Sequence, residues 1–263
     1  MFEPMLDLKE RIAFVTGAGQ GVGRQAALHI ATHNAGGVVV NDFHASRAEA
    51  VAAEIQKFGI PTEISVCDVA DYVAVGREIE RVAKRFGRID ILVNNAGNAG
   101  PTSSLTDLPA FWATDPTEWQ RWLGTNLYGV LNCVRHVLPS MITNNYGRIV
   151  TVVSDAGRVG EGHLAVYSGA KAGAAGFMRA IAKATGRFGV VANCIALAGV
   201  RTPGAEVMIP DEAALKKVLR NYIIRRPGEA EEAANMILFL ASDAAAWITG
   251  QTYPVNGGYS FAV

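Results

Sequence analysis

Cysteine is scarce. Cys67, Cys133 and Cys194 are the three in 263 residues, far apart and with no CxxC pair. That argues against a disulfide framework and a zinc cluster, and it fits a reducing compartment. Charge is in short supply as well: charged residues are 18%, and 24 Lys+Arg balance 24 Asp+Glu to a formal net charge of +0. With no cationic excess there is little to hold a phosphate backbone by counterion release. Near-zero charge also leaves little self-repulsion to oppose self-association. No apolar run reaches the roughly 18 residues that suggest a membrane span. The stretch from Met1 to Asp7 lacks the basic-then-apolar order of a signal peptide. These absences predict a soluble, cytoplasmic protein with neither a nucleic-acid nor a membrane partner. What is abundant is apolar surface, 50% of the residues, enough for a large core.

Short runs rich in Val and Ile alternate with longer helical patterns. Strands are expected at residues 11–16, 37–41, 62–66, 89–94, 148–153, 190–196 and 251–255. They are apolar throughout rather than alternating, as parallel strands covered on both faces are. Helices are expected at 22–32, 46–58, 71–86, 117–144, 164–188 and 229–242, with a Ser46-x-x-Glu49 capping pattern opening the second and Asp71 and Gly87 bounding the third. Repeated β-α-β units with no linker predict a single α/β domain over residues 1–263, a doubly wound Rossmann fold on a seven-stranded parallel sheet. Two loops break the rhythm: 98–116, carrying Phe111 and Trp112, and 199–211, with Pro203, Gly204 and Pro210. Both follow strands, so both belong at the carboxyl edge of the sheet, where ligands bind in open α/β folds.

The first strand ends in Thr16-Gly17-Ala18-Gly19-Gln20-Gly21-Val22-Gly23 and a helix follows. Glycines let the backbone turn tightly and approach a pyrophosphate. The helix N-terminus then offers free N–H groups to it. The spacing of Gly17, Gly21 and Gly23 is G-x-x-x-G-x-G, not G-x-G-x-x-G. Asp42 closes the second strand. A carboxylate there can accept both ribose hydroxyls of an adenosine and would repel the 2′-phosphate of NADP. The nearest base, Arg47, belongs to the next helix. NAD is therefore the expected cofactor.

Ser154 ends the fifth strand, and Tyr167-Ser168-Gly169-Ala170-Lys171 follows. Tyr167 and Lys171 are i and i+4, on one helix face. A phenol ionises near pH ~10 and is a poor base at neutrality. A neighbouring ammonium favours the phenolate. Such a tyrosine can take a proton from an alcohol while a hydride leaves its carbon.

These residues resemble the short-chain dehydrogenase/reductase superfamily over nearly the whole chain. The marks are Thr16-Gly17-x3-Gly21-x-Gly23, Asp42, Cys67-Asp68-Val69, Asn94-Asn95-Ala96-Gly97, Asn126-Leu127-x-Gly129, Ser154, Tyr167-x3-Lys171 and Val200-Arg201-Thr202-Pro203. The resemblance implies Tyr167 as general acid/base, with Lys171 lowering its pKa and binding the nicotinamide ribose. It implies Ser154 polarising the substrate carbonyl and Asn126 supporting a water relay. Cofactor contacts are implied for Gly17, Gln20, Gly21, Val22, Asp42, Asp68, Val69, Asn95, Gly97, Val200 and Thr202. It also implies a dihedral homotetramer built on the long helices, joined by the Val255-Asn256-Gly257-Gly258 region. One departure stands out: Leu197-Ala198 occupies the place of the family Pro-Gly, and Ala198 would be strained if that glycine had positive φ.

The loop Ser154-Asp155-Ala156-Gly157-Arg158-Val159-Gly160 is similar to one in dehydrogenases of alicyclic hydroxyacyl-CoA thioesters. Arg158 could pair with a substrate carboxylate or a CoA phosphate, or with Glu161. Phe111, Trp112, Val207, Met208 and Ile209 suggest a hydrophobic or cyclic substrate. Trp119 and Trp122, a helical turn apart, suit a core or subunit interface. His29 and His33 share a helix face but lack a Glu-x-x-His context, and no metal is expected. The function these features predict is NAD-dependent interconversion of a secondary alcohol and a ketone. Two rivals remain: an NADP-linked carbonyl reductase, and a catalytically silent nucleotide-binding partner subunit.

Overall fold

The computed structural model describes residues 4–97, 108–203 and 212–261. Seven parallel strands form one sheet in the order β3-β2-β1-β4-β5-β6-β9. They are β1 (Ile12–Val15), β2 (Gly37–Asp42), β3 (Thr62–Val66), β4 (Ile91–Asn94), β5 (Gly147–Ser154), β6 (Val190–Leu197) and β9 (Thr252–Val255). The direction of winding reverses between β1 and β4, which opens a crevice at their carboxyl ends. The expected fold class is the one observed.

Neighbouring side chains along the central strands enter opposite cores, which explains their lack of polar alternation. Ala13, Val15, Val38, Val40, Val93 and Ile195 pack under α1 (Gly21–Thr32), α2 (Ala45–Gln56) and α9 (Ala230–Ala241). Phe14, Val39, Leu92, Ile149 and Val153 pack under α3 (Tyr72–Phe86), α5 (Gly129–Thr143) and α7 (Ala165–Thr185). Fully burying one such aliphatic side chain stabilises by about 1.5–3 kcal/mol. The central strands therefore serve both layers.

Several boundaries differ from the sequence expectation. α3 starts where predicted: Asp71 accepts the N–H groups of Val73 and Ala74, and Gly87 takes a left-handed conformation after it. α2 does not start at Ser46. Asp42 Oδ1 accepts the N–H of His44 at 2.9 Å and turns the chain early, so His44 is the N-cap and Ser46 lies inside the helix without a capping bond. The expected helix 117–144 is divided into α4 (Pro116–Leu123), a π-helical turn (Gly124–Tyr128) and α5. The short helix α6 (Ala156–Val159) follows β5, and the segment after β6 carries α8 (Glu212–Leu219) and a two-stranded parallel pair, β7 (Val200–Arg201) with β8 (Gly228–Glu229). Residues 98–107 and 204–211 of the two expected loops, with Gly204, Val207, Met208, Ile209 and Pro210, lie outside the described residues.

Candidate active site

The glycine turn is built by contacts that leave no room for a Cβ. Gly17 and Gly21 have φ of +59° and +55°. A Cβ on Gly23 would lie 2.2 Å from the Gly17 carbonyl oxygen and 2.3 Å from Asn95 Nδ2. Asn95 Nδ2 donates to the carbonyls of Thr16 and Gly17 at 3.0 Å each, so this side chain braces the turn. Thr16 Oγ1 in turn accepts the N–H groups of Asn95 and Ala96 at 3.0 Å.

Gly19 is a further tight position that the sequence pattern did not single out. Its N–H donates to Asp42 Oδ2 at 3.0 Å, and a Cβ there would meet both that oxygen and Arg47 Cβ at 2.6 Å. The two carboxylate oxygens of Asp42 thus point at backbone N–H groups of Gly19 and His44, which fixes the carboxylate at the strand tip.

A cleft of about 720 Å³ runs from this tip along the carboxyl edge of the sheet to Lys171. The predicted cofactor contacts Gly17, Gln20, Gly21, Val22, Asp42, Asp68, Val69, Asn95, Gly97, Val200 and Thr202 all line it. The bare backbone of the glycine turn, the α1 N-terminus behind it and the acidic strand tip suit a dinucleotide with a pyrophosphate centre. Within the cleft Asp68 Oδ1 accepts the N–H of Ala70 at 2.9 Å. Ala198 is absent from the four non-glycine residues with positive φ among those described, so Leu197-Ala198 carries no left-handed strain.

At the other end stand Ser154, Tyr167 and Lys171. β5 pairs with β6 residue by residue up to Ser154 opposite Leu197, which carries Ser154 to the sheet edge. Its Oγ accepts the Ala156 N–H at 3.2 Å, and the hydroxyl neighbours the Tyr167 phenol. Lys171 Nζ donates to the Val152 carbonyl at 3.0 Å and lies 5.8 Å from the centre of the Tyr167 ring. Burial pushes the phenol above its ordinary pKa, and the Ser154 hydroxyl pulls it back. Burial also pulls the Lys171 ammonium down to about 8, with a charge contribution from Cys194 opposing it.

Asn126 sits in the π-helical turn, a distortion often found at functional sites. Its Nδ2 donates to the Trp122 carbonyl at 2.9 Å. A Cβ on Gly97 would lie 3.1 Å from Asn126 Oδ1 and 3.2 Å from Lys171 Nζ, so both groups converge on the bend after β4. The four expected catalytic residues are thereby assembled in one place.

Tyr167 also faces a second cavity of about 350 Å³, lined by Leu108, Phe111, Trp122, His163 and Leu164 among others. Trp122 is buried and meets the Tyr167 ring edge-on at 5.8 Å, while Phe111 stacks on Trp119 at 5.4 Å. Trp122 is a wall of the site, which its helical spacing alone did not disclose. Trp112 is 87% exposed and takes no part in this lining.

Arg158 does not pair with Glu161. It binds Asp155 Oδ1 at 2.6 Å, Ser260 Oγ at 2.7 Å and the Phe261 carbonyl at 2.8 Å. The sequence offered no signal for partners a hundred residues away. His33 Nδ1 contacts the His29 carbonyl, and His29 Nε2 contacts Gln25.

Residues 17–260 match the family described as enoyl-(acyl carrier protein) reductase. Among similar proteins is (2S)-[(R)-hydroxy(phenyl)methyl]succinyl-CoA dehydrogenase subunit BbsD of Thauera aromatica. It is 35% identical over 257 residues, 97% of this chain and 98% of the relative. A solved 7α-hydroxysteroid dehydrogenase, complexed with NADH and 7-oxo glycochenodeoxycholic acid, superimposes with a TM-score of 0.90 at 32% identity, covering 98% of each chain. A gluconate 5-dehydrogenase from Burkholderia cenocepacia, in complex with NADP and tartrate, does so with 0.89 at 29%, again covering 98% of each. The matched length and the superposition over 98% of the chain point the same way. The chain belongs to the short-chain dehydrogenase/reductase superfamily, a group of oxidoreductases that use nicotinamide cofactors.

Proposed function

We propose that the protein is an NAD-dependent dehydrogenase that interconverts a secondary alcohol and a ketone on a hydrophobic or cyclic substrate, such as a hydroxyacyl-CoA thioester. The observation that carries this reading is the position of Tyr167. It stands where the long cleft that begins at Asp42 meets the aromatic cavity of Phe111 and Trp122. A cofactor in one and a substrate in the other would meet beside its phenol. The nicotinamide, when bound, supplies the hydride acceptor or donor.

In the oxidation direction Tyr167 Oη takes the hydroxyl proton of the substrate while Ser154 Oγ holds the same oxygen. Lys171 carries positive charge behind the phenol, which favours the phenolate. Asn126, braced on the Trp122 carbonyl, completes the polar floor near Lys171. In the reduction direction the protonated phenol, the form that burial favours, is the proton donor.

Asp42 supports NAD over NADP, because its fixed carboxylate would repel a 2′-phosphate. A second reading, an NADP-linked reductase, draws on Arg47, which lines the same end of the cleft. The relative BbsD acts on a hydroxy(phenyl)methyl succinyl-CoA, and that supports an acyl-CoA carrying a ring beside the alcohol. A homotetramer built on α5 and α7 and a cytoplasmic location complete the proposal; three free thiols fit a reducing compartment.

The test has two steps. A thermal-shift titration with NADH and with NADPH comes first. A ligand bound only by the folded state stabilises it by about 2.7 kcal/mol at a hundredfold excess over Kd. NADH is expected to give the larger shift, and a larger NADPH shift would overturn the cofactor assignment. NADH formation is then followed with 3-hydroxy-3-phenylpropanoyl-CoA and a panel of cyclic alcohols. No turnover on any of them would favour the silent-subunit alternative.

A further inference from the structure

We infer that residues 256–261 form a latch that holds Ser154 in place against Tyr167 through the carboxylate of Asp155. Asp155 is then a positioning residue, an inference that rests on the reading of Ser154 and Tyr167 as the reacting pair.

Asp155 follows Ser154 directly and is 1% exposed. A buried carboxylate is tolerated only when it is paired and fully hydrogen-bonded. The partners come from two places. Arg158 supplies the charge, at 2.6 Å on Oδ1. The chain's end supplies the rest: Ser260 Oγ donates to Oδ1 at 3.0 Å and Asn256 Nδ2 to Oδ2 at 2.6 Å. Arg158 grips the same end through Ser260 Oγ and the Phe261 carbonyl. The Tyr259 hydroxyl donates to Glu161, farther along the same loop.

The segment also reaches the residues that brace the loop after β6. The Gly257 carbonyl accepts the Ile224 N–H at 2.9 Å, and Tyr259 packs on Tyr222 with ring centres 5.2 Å apart. Tyr222 Oη accepts the Gly199 N–H at 2.7 Å, beside Ala198. Asp155 itself donates its N–H to the Leu197 carbonyl at 2.9 Å. Residues 256–261 therefore connect the loop after β5 with the loop after β6, and these two loops border the reacting centre. Ser154 Oγ is held by the N–H of Ala156, on the far side of Asp155, so any shift of Asp155 moves it. Misplacing a group by about 1 Å can cost a hundredfold in rate.

The experiment compares wild type with Asn256→Ala, Ser260→Ala, Arg158→Ala and Arg158→Lys. Hydrogen exchange is followed in peptides covering residues 154–164, and steady-state kinetics use 3-hydroxy-3-phenylpropanoyl-CoA with NAD. In Asn256→Ala and Ser260→Ala, exchange in 154–164 is expected to rise at least tenfold. kcat should fall at least tenfold while KM for NAD and the NADH thermal shift stay at wild-type values. Arg158→Lys should recover most of what Arg158→Ala loses. Wild-type exchange in both tail variants would overturn the latch. So would faster exchange with an unchanged kcat, which would leave the tail a packing element only. A wild-type enzyme silent on this thioester counts against the function reading, and the latch is then decided by exchange alone.

Discussion

Lys171 Nζ lies 5.8 Å from the centre of the Tyr167 ring, and burial moves each group from its ordinary pKa, the phenol up and the ammonium down. Tyr167→Phe should abolish turnover, by at least about a thousandfold given the 10²–10⁴ typical of proton transfer by a positioned side chain. The NADH-induced thermal shift should persist. Turnover within tenfold of wild type would remove Tyr167 from the mechanism. Lys171 yields a stability prediction with a definite sign. Its folded pKa, about 8, lies below the unfolded value near ~10.4, so between these the unfolded chain binds more protons. Stability of the cofactor-free chain should therefore rise as pH climbs from about 8 to about 10. In Lys171→Met that rise should be smaller, which denaturant melts at a series of pH values would measure. Ser154, Tyr167, Lys171 and Asp42 were legible in the sequence because the chemistry demands those residue types at those spacings. Trp122 and Arg158 were not, since what each faces depends on segments distant along the chain.

At the scale of elements, the glycine turn and the α3 cap are sharply specified. Gly23→Ala would push a methyl group into the Gly17 carbonyl and the Asn95 amide. Overpacking of this kind costs about 1–3 kcal/mol, and because it deforms the turn the NADH-induced shift should be lost as well. Asp71→Ala removes the acceptor for two backbone N–H groups and should lower stability by ~1 kcal/mol in urea melts, with the NADH shift unaltered. Asp71 and Gly87 could be recognised because both ends of α3 rely on local chemistry. The α2 start could not, since Asp42, serving the cleft, also turns the chain at His44. The π-helical turn at Asn126 was equally hidden. An extra residue in a helix leaves no mark in an apolar pattern already interrupted by Gly124 and Gly129.

Across the whole molecule, the edge of the sheet opposite the cleft carries its own charge network. Asp90, fully buried, accepts the Ile12 N–H at 3.0 Å and pairs with Arg88 and Arg11. Nearby the Tyr146 ring lies between the guanidinium groups of Arg11 and Arg148, at 3.7 and 4.2 Å, and Arg148 pairs with Asp243. Asp90→Ala should cost about 3 kcal/mol, at the low end for breaking a buried pair because both arginines keep access to water. The fractional change of melting temperature with NADH should survive, since this edge is the far one. Sedimentation of the intact protein should give about four times the 27.9 kDa chain mass. A monomer would remove the tetramer from the proposal. The layered fold was visible from the sequence because the central strands are apolar on both faces. The edge networks were not, because charges scattered from Arg11 to Asp243 meet only once the sheet is assembled.

Leu197-Ala198 has a consequence for the protein's future as well as its present. At this bend the backbone stays in a region open to every L-amino acid, so the position is not confined to glycine. It borders the cleft within a few residues of Ser154 across the β5–β6 pair. A bend held at positive φ would confine such a position to glycine. Here a library of substitutions at residue 198 would reshape the lining of the cleft without first solving a folding problem.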